Sequence, residues 1–377
     1  MRLLFLASDF PPAVGGIQTY VAELCAALVQ AGAEPVILAV QRPDAARFDA
    51  GFPAEVIRVP SGSKPRVAQE MQRAGADLAR SRGFDAVVAT KWFLEGPPAI
   101  ALARRLGVPS VLMGYGNEFA LHGLNPVKAQ WQRRVLTSAD TALGISHYTA
   151  GEMIRAGTKP ERTFVIGAGV RPEALECSPA EVEALRQELG LTDEKVLLTV
   201  GRVVARKGHQ TVLRALRVIR AAAGPVRYVI VGRGPHEDYL RRIVEKRRLG
   251  EMVMWAGSVP QQRLAALYHL SDLFVMCSRP VRGQPTEGLG LVYLEANACG
   301  KPVLGADTGG VSDAIAQDVN GLLIAPGDIP SCAAAAIKVL GDPAYAARLG
   351  EAGRKRVQEQ SLWRHVAERF MPAVARA

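Results

Sequence analysis

No apolar run in the sequence is long enough to span a membrane, and the stretch before Ser8 is too short for the apolar region and cleavage site of a signal peptide. A membrane-spanning or secreted protein is therefore not expected. The five cysteines, Cys25, Cys177, Cys277, Cys299 and Cys332, form no C-x-x-C pair and no zinc spacing, so free thiols in a reducing compartment are expected instead of a disulfide framework or a zinc module. There is no low-complexity tract and no repeat of solenoid length. The net charge of +10 favours an anionic partner, but no basic stripe interleaved with aromatic residues accompanies it. Nucleic acid is thus not an expected partner, whereas an anionic membrane surface or a phosphorylated substrate is. A dinucleotide fingerprint is also lacking. Gly15 and Gly16 are adjacent, and the later Gly232-Arg233-Gly234 has Glu237 where the third glycine should stand. No D-x-D pair stands where a divalent ion could hold a diphosphate, so neither a metal nor any other cofactor is expected.

What is present is an alternation of short apolar runs with helical patterns. Over 377 residues with 49% apolar content, this predicts two α/β units. Runs at 2–8, 36–40, 56–59, 86–89, 110–113 and 142–146 read as buried parallel strands of the first unit, with Ser146 at a carboxyl end. Runs at 195–201, 227–232, 252–259, 273–277 and 302–305, with an edge strand within 318–328, supply the second, and the linker is expected near 167–172.

The most informative stretch is 286–309, TEGLGLVYLEANACGKPVLGADTG. A glycine-broken loop passes into a helical pattern, so the free N–H groups of Gly288, Leu289, Gly290, Leu291 and Val292 can hold an anion without a basic side chain. Glu287 and Glu295, eight residues apart, are spaced to face one side of the element. Carboxylates repel phosphate but accept hydroxyls, which predicts a ligand with sugar on both sides of its phosphates, a nucleotide sugar. At 201–208, GRVVARKG, Arg202 and Lys207 leave a strand end either as a second clamp for a pyrophosphate or as a basic loop facing solvent. Gly15 and Gly16 form a loop at the carboxyl end of the first strand, where open α/β sheets bind ligands, or else only a tight turn. The basic helical segment 64–82 and the cations Lys128, Arg133 and Arg134 are either solvated faces or contacts to anionic lipid.

On three of these stretches, the 286–309 region with its E-x7-E spacing, the GR-x4-KG wording and the Gly15-Gly16 loop, the chain resembles retaining glycosyltransferases of family 4 in the GT-B fold. The wording EGLGLVYLEANACGKPV is most similar to the bacterial phosphatidylinositol mannosyltransferases that use GDP-mannose. The resemblance implies two Rossmann-like, doubly wound domains facing across a cleft: 1–168 for the acceptor, 169–361 for the nucleotide sugar, and a helix in 362–377 crossing back. It implies transfer of a hexose, mannose from GDP-mannose, to a lipid-linked or glycan acceptor with retained configuration. UDP-glucose or UDP-N-acetylglucosamine as donor, and a sugar-nucleotide epimerase on the same architecture, are the alternatives. Carried onto this chain, Gly15 and Gly16 would lie over the donor phosphates, while Arg202 and Lys207 would hold the diphosphate as it leaves. Glu287 would bond hydroxyls of the donor sugar, with a nucleophilic role as the alternative. Glu295 would hold the ribose, and the loop through Val259 would meet the base by its main chain. Where the family usually carries a histidine near the reacting sugar this chain has Tyr115, with Asn117 and Glu118 as polar lining and His122 further on. The implied location is the cytoplasm, with peripheral attachment at the inner face of the cell membrane where a lipid-linked acceptor requires it.

Overall fold

In the computed structural model the apolar runs are buried strands of two parallel sheets. The structure describes residues 1–120, 126–284 and 286–376, apart from the side chains of Asn117 and Ala120; His122 lies outside the described residues. The chain divides into two compact units, one of Met1–Gly169 with the helix Trp363–Ala375 and one of Val170–Leu362.

The first unit contains β1 (Arg2–Ala7), β2 (Glu34–Val40), β3 (Glu55–Val59), β4 (Ala86–Ala89), β5 (Ser110–Gly114), β6 (Thr141–Gly144) and β7 (Thr163–Val165). Their order is β3-β2-β1-β4-β5-β6-β7, with every neighbouring pair parallel. Continuous apolar strands suit a sheet covered on both faces, and Leu4, Leu6, Leu38, Val87 and Leu112 are fully buried. The order reverses beside β1, which exits at Ser8. The run 142–146 is shorter as a strand than its apolar content predicts, because Ser146 turns out to cap the helix His147–Ala156, its Oγ accepting the Thr149 N–H at 3.0 Å. The helix Trp363–Ala375 belongs to this unit by packing. It lies against the helix Gly16–Gln30, Phe370 stacks on Phe5 with centroids 6.0 Å apart, and Arg369 Nε donates to the Ile166 carbonyl at 2.8 Å.

The second unit contains β8 (Lys195–Val200), β9 (Val226–Val231), β10 (Val253–Gly257), β11 (Leu273–Met276), β12 (Val303–Ala306) and β13 (Gly321–Ile324). Their order is β10-β9-β8-β11-β12-β13, again parallel between neighbours. Here too the order reverses, between β8 and β11. A strand-order reversal of this kind, at the carboxyl ends of those two strands, is where a ligand fits in such a sheet.

Candidate active site

The loops that leave β8 and β11 are pinned to each other by the backbone. After β8 the chain makes a single tight turn, Ala205–Lys207, and Gly208 follows in the left-handed region at φ 71°. A Cβ on Gly208 would fall 1.6 Å from the Cys277 carbonyl oxygen, so only glycine lets this turn press against the exit of β11. From the other loop, the Arg279 N–H donates to the Arg206 carbonyl at 2.8 Å. Glu287 is fixed in the same way. The Gly310 N–H donates to its carbonyl at 2.9 Å, and a Cβ on Gly309, at φ 61°, would lie 2.1 Å from that oxygen.

Held so, the side chains converge. Lys207 Nζ donates to Glu287 Oε2 at 2.7 Å, and Arg206 Nη1 donates to the same oxygen at 3.2 Å. The three side chains are only 11%, 17% and 12% exposed for Lys207, Arg206 and Glu287. Burial alone would raise the Glu287 pKa, but the charges of Lys207 and then Arg206 outweigh it and hold the carboxyl below its usual range. A depressed carboxylate stabilises the fold fully above the ordinary carboxyl pKa. That contribution is lost as pH falls through the depressed value.

Next to this trio the helix Leu291–Ala298 begins. Gly290 at φ 91° precedes it, and among the described residues the N–H groups of Leu289, Gly290, Leu291 and Val292 have no acceptor. Glu287 therefore lies on the loop and Glu295 on the helix, as the glycine-broken stretch predicts. The left-handed Gly290 starts the helix late, so the two are held by different elements. Glu295 accepts the Tyr268 hydroxyl at 2.6 Å, from the helix Gln261–Leu270, and burial raises its pKa despite that bond. Val259, half-buried, lies two residues beyond the end of β10. Arg202 is exposed, and its guanidinium has no partner among the described residues. The guanidinium that joins Lys207 at Glu287 is that of Arg206.

In the first unit, Gly15 precedes the helix Gly16–Gln30 in an extended conformation, and a Cβ on Gly16 would meet nothing within 4 Å. Tyr115 points inward. It is 4% exposed, packs edge-on against Tyr20 at 5.4 Å, and its hydroxyl faces Met113 Sδ at 3.9 Å. Glu118 accepts the Tyr115 N–H at 2.6 Å through Oε1, while its Oε2 is buried without a partner, and burial pushes its pKa up to about 7. Asn117 opens the helix Asn117–Ala120, but its side chain lies outside the described residues. At the carboxyl ends of β1 and β4, Lys91 pairs with Asp9, and fully buried Glu95 accepts the Ser8 N–H at 2.8 Å.

Two family models match this chain, the glycosyl transferases group 1 over residues 181–356 and the glycosyl transferase 4-like domain over residues 15–169. Over nearly its whole length the chain is also 31% identical to the GDP-mannose-dependent alpha-(1-6)-phosphatidylinositol monomannoside mannosyltransferase of Mycobacterium tuberculosis, covering 98% of this chain and 97% of that one. The chain belongs to the family 4 glycosyltransferases of the GT-B fold. The GDP-mannose-dependent monoacylated alpha-(1-6)-phosphatidylinositol monomannoside mannosyltransferase of Corynebacterium glutamicum is likewise 31% identical, over 98% of this chain and 96% of its own. Among solved structures, Anabaena HepE in complex with UDP-glucose superposes with a TM-score of 0.82 at 19% identity, over the full length of both chains, a likeness of fold alone.

Within this glycosyltransferase, Arg206 and Tyr268 are the site residues that sequence reasoning missed. Arg206 falls inside the unspecified part of GR-x4-KG, and one of its neighbours carried the motif. Tyr268 lies on a helix with no motif at all, and no local signal could have found it. Among the described residues no group of three or more His, Cys, Asp or Glu side chains could hold a metal ion, and no helix is long and apolar enough to cross a membrane.

Proposed function

We propose that this glycosyltransferase moves mannose from GDP-mannose to a lipid-linked or glycan acceptor with retention of configuration and without a metal. The observation that carries the reading is the meeting of Lys207 and Arg206 on Glu287 beside four unpaired N–H groups. Amides and cations suit a diphosphate, and a carboxylate already neutralised by two cations repels that phosphate little. In this reading the bond between the anomeric carbon and the β-phosphate oxygen breaks while the acceptor oxygen bonds to the same face. The acceptor proton passes to the departing phosphate, whose growing charge Lys207, Arg206, Arg202 and the amides of Leu289 to Val292 stabilise. Glu287 hydrogen-bonds donor-sugar hydroxyls, Glu295 the ribose, and Val259 the base through its main chain. The donor is taken as GDP-mannose because the relatives of about 30% identity carry that donor in their names. Calorimetric titration with GDP and UDP in parallel, followed by a transfer assay with GDP-mannose, tests it. Tighter binding of UDP would reject the guanine donor in favour of a UDP-sugar.

Gly15 and Gly16 are assigned to the donor phosphates, and Gly16 allows a clean test because the fold has room for a side chain there. Gly16→Ala should leave unfolding within about 0.5 kcal/mol of wild type. The donor KM should rise about tenfold, since the added methyl occupies the space the phosphates need. An unchanged KM would remove Gly16 from the site. On the acceptor side, Glu118 and Asn117 are retained as lining, whereas Tyr115 contributes by shaping the wall and not by its phenol.

A cytoplasmic location with peripheral attachment fits a surface on the first unit. Lys64 Nζ lies 5.1 Å from the centre of the Phe93 ring, and Phe93 packs edge-on against Trp131 at 5.0 Å. Trp131 shares the helix Pro126–Ser138 with Val127, 78% exposed, and with exposed Lys128, Arg133 and Arg134. Aromatic and basic groups together suit the headgroup region of an anionic bilayer, where each cation contributes about 1 kcal/mol. Sedimentation with phosphatidylglycerol vesicles should be strong at low salt and weak with neutral phosphatidylcholine. Lys128→Glu should cut the partition about tenfold. Equal binding to both lipids would exclude this surface.

A further inference from the structure

The loop after β9 carries a guanidinium that the diphosphate chemistry leaves unused. Gly232, at φ 120°, could bear no side chain, because a Cβ would lie 2.0 Å from the Gly201 carbonyl oxygen. A Cβ on Gly234 would lie 2.3 Å from that of Val203. The loop is thereby pressed against the exit of β8, and hydrogen bonds lock it: Val203 N–H to the Arg233 carbonyl at 3.0 Å, His236 N–H to the Val203 carbonyl at 3.0 Å, and Gly232 N–H to the Gly257 carbonyl at 2.7 Å. Between these fixed points the Arg233 side chain is exposed. Its Nη2 lies 3.1 Å from where a Cβ on Gly257 would sit, so the guanidinium extends from the end of β9 over the end of β10. No carboxylate pairs with it among the described residues.

This position lies on the side towards which a nucleoside would extend. The phosphate groups belong above β8 and β11, where Lys207 and the free amides are. Glu295, assigned to the ribose, is bonded to Tyr268 on a helix that packs against β8, which directs the nucleoside towards β9 and β10. Strands are about 4.8 Å apart, so the end of β10 lies about 10 Å from that of β8, roughly the reach from a phosphate across a ribose to a base edge. We propose that Arg233 reads the base of the donor, its planar fork donating to O6 and N7 of guanine. Adenine presents an amine beside N7, and a pyrimidine has no second acceptor there, so neither can accept both bonds. The inference rests on the GDP-sugar reading above and deepens it.

The test is calorimetric titration of wild type, Arg233→Ala and Arg233→Lys with GDP, UDP, ADP and 7-deaza-GDP, with pyrophosphate as competitor. Wild type should prefer GDP over UDP and ADP by about 10- to 100-fold and should lose about tenfold in affinity for 7-deaza-GDP. In Arg233→Ala the preference and the 7-deaza penalty should both disappear while competition by pyrophosphate is unchanged. Arg233→Lys, which keeps the charge but not the fork, should behave like the alanine variant. Two results overturn the assignment of Arg233 alone: a GDP preference that survives in Arg233→Ala, or an equal loss for every nucleotide and for pyrophosphate, which would make it a phosphate ligand. Wild type without a GDP preference would instead overturn the donor reading, and the guanine assignment with it.

Discussion

Glu287→Gln is expected to lower turnover by about 100- to 1000-fold while GDP binds at least as tightly as to wild type. The substitution keeps the shape of a side chain whose Oε2 is 2.7 Å from Lys207 Nζ and 3.2 Å from Arg206 Nη1, and removes only its charge. Two effects then separate. Lys207 and Arg206 lose the anion that neutralises them and turn to the diphosphate, which favours nucleotide binding. The donor sugar loses a charged acceptor for its hydroxyls at the moment positive charge develops at the anomeric carbon, which slows transfer. A loss of stability alone would lower both quantities together, so the divergence of kcat from Kd is the informative readout. Single-turnover transfer and calorimetry on the same preparation measure the two, and wild-type transfer by Glu287→Gln would reject the assignment.

Lys207→Met should be at least as severe and should fail differently. Methionine fills a similar volume in a place where the side chain is 11% exposed, so packing is largely kept. Both GDP affinity, by about 10- to 100-fold, and turnover, by about 100-fold or more, are expected to fall, because the ammonium is needed by the bound diphosphate and more strongly by the departing one. The variant also predicts a pH effect of known sign. In wild type, burial pushes the Glu287 pKa up and is outweighed by Lys207 and Arg206. Without Lys207 the balance tips towards burial, the Glu287 pKa rises, and the acid limb of the residual activity should move to higher pH. An acid limb that stays where it is in wild type would mean that Glu287 does not set it.

The strands were largely legible, because a short apolar run covered on both faces has few other places to go. Where legibility failed, a neighbouring group had decided. Ser146 looks like the end of an apolar run until the N–H of Thr149 takes its hydroxyl as a cap. The site was legible in its types and less so in its members. Lys207 and Glu287 stand in motifs whose chemistry requires an ammonium and a carboxylate, but which arginine joins them depends on the turn Ala205–Lys207, and that turn exists because Gly208 can approach Cys277. Tyr115 occupies the place of a reactive side chain in the motif, yet the ring is drawn against Tyr20 in the core. Its neighbours Glu118 and Glu95 keep polar atoms near the ends of β1, β4 and β5 for reasons that appear only once those strands are side by side.

The sequence by itself determined the class of protein: two parallel α/β units, a helix start after a glycine loop, cations at a strand exit and a carboxylate beside them. Those are local properties, set by apolar periodicity, by the backbone freedom of a few glycines and by charge, and they survive without knowledge of any distant contact. The tertiary structure alone decided the partnerships. Arg206 meets Glu287 across 81 positions of sequence and Tyr268 meets Glu295 across 27, while Arg233 is laid over Gly257 by two close backbone approaches. Pairings at such separations depend on which strands lie side by side and how nearly their exit loops can touch, and no spacing along the chain encodes that.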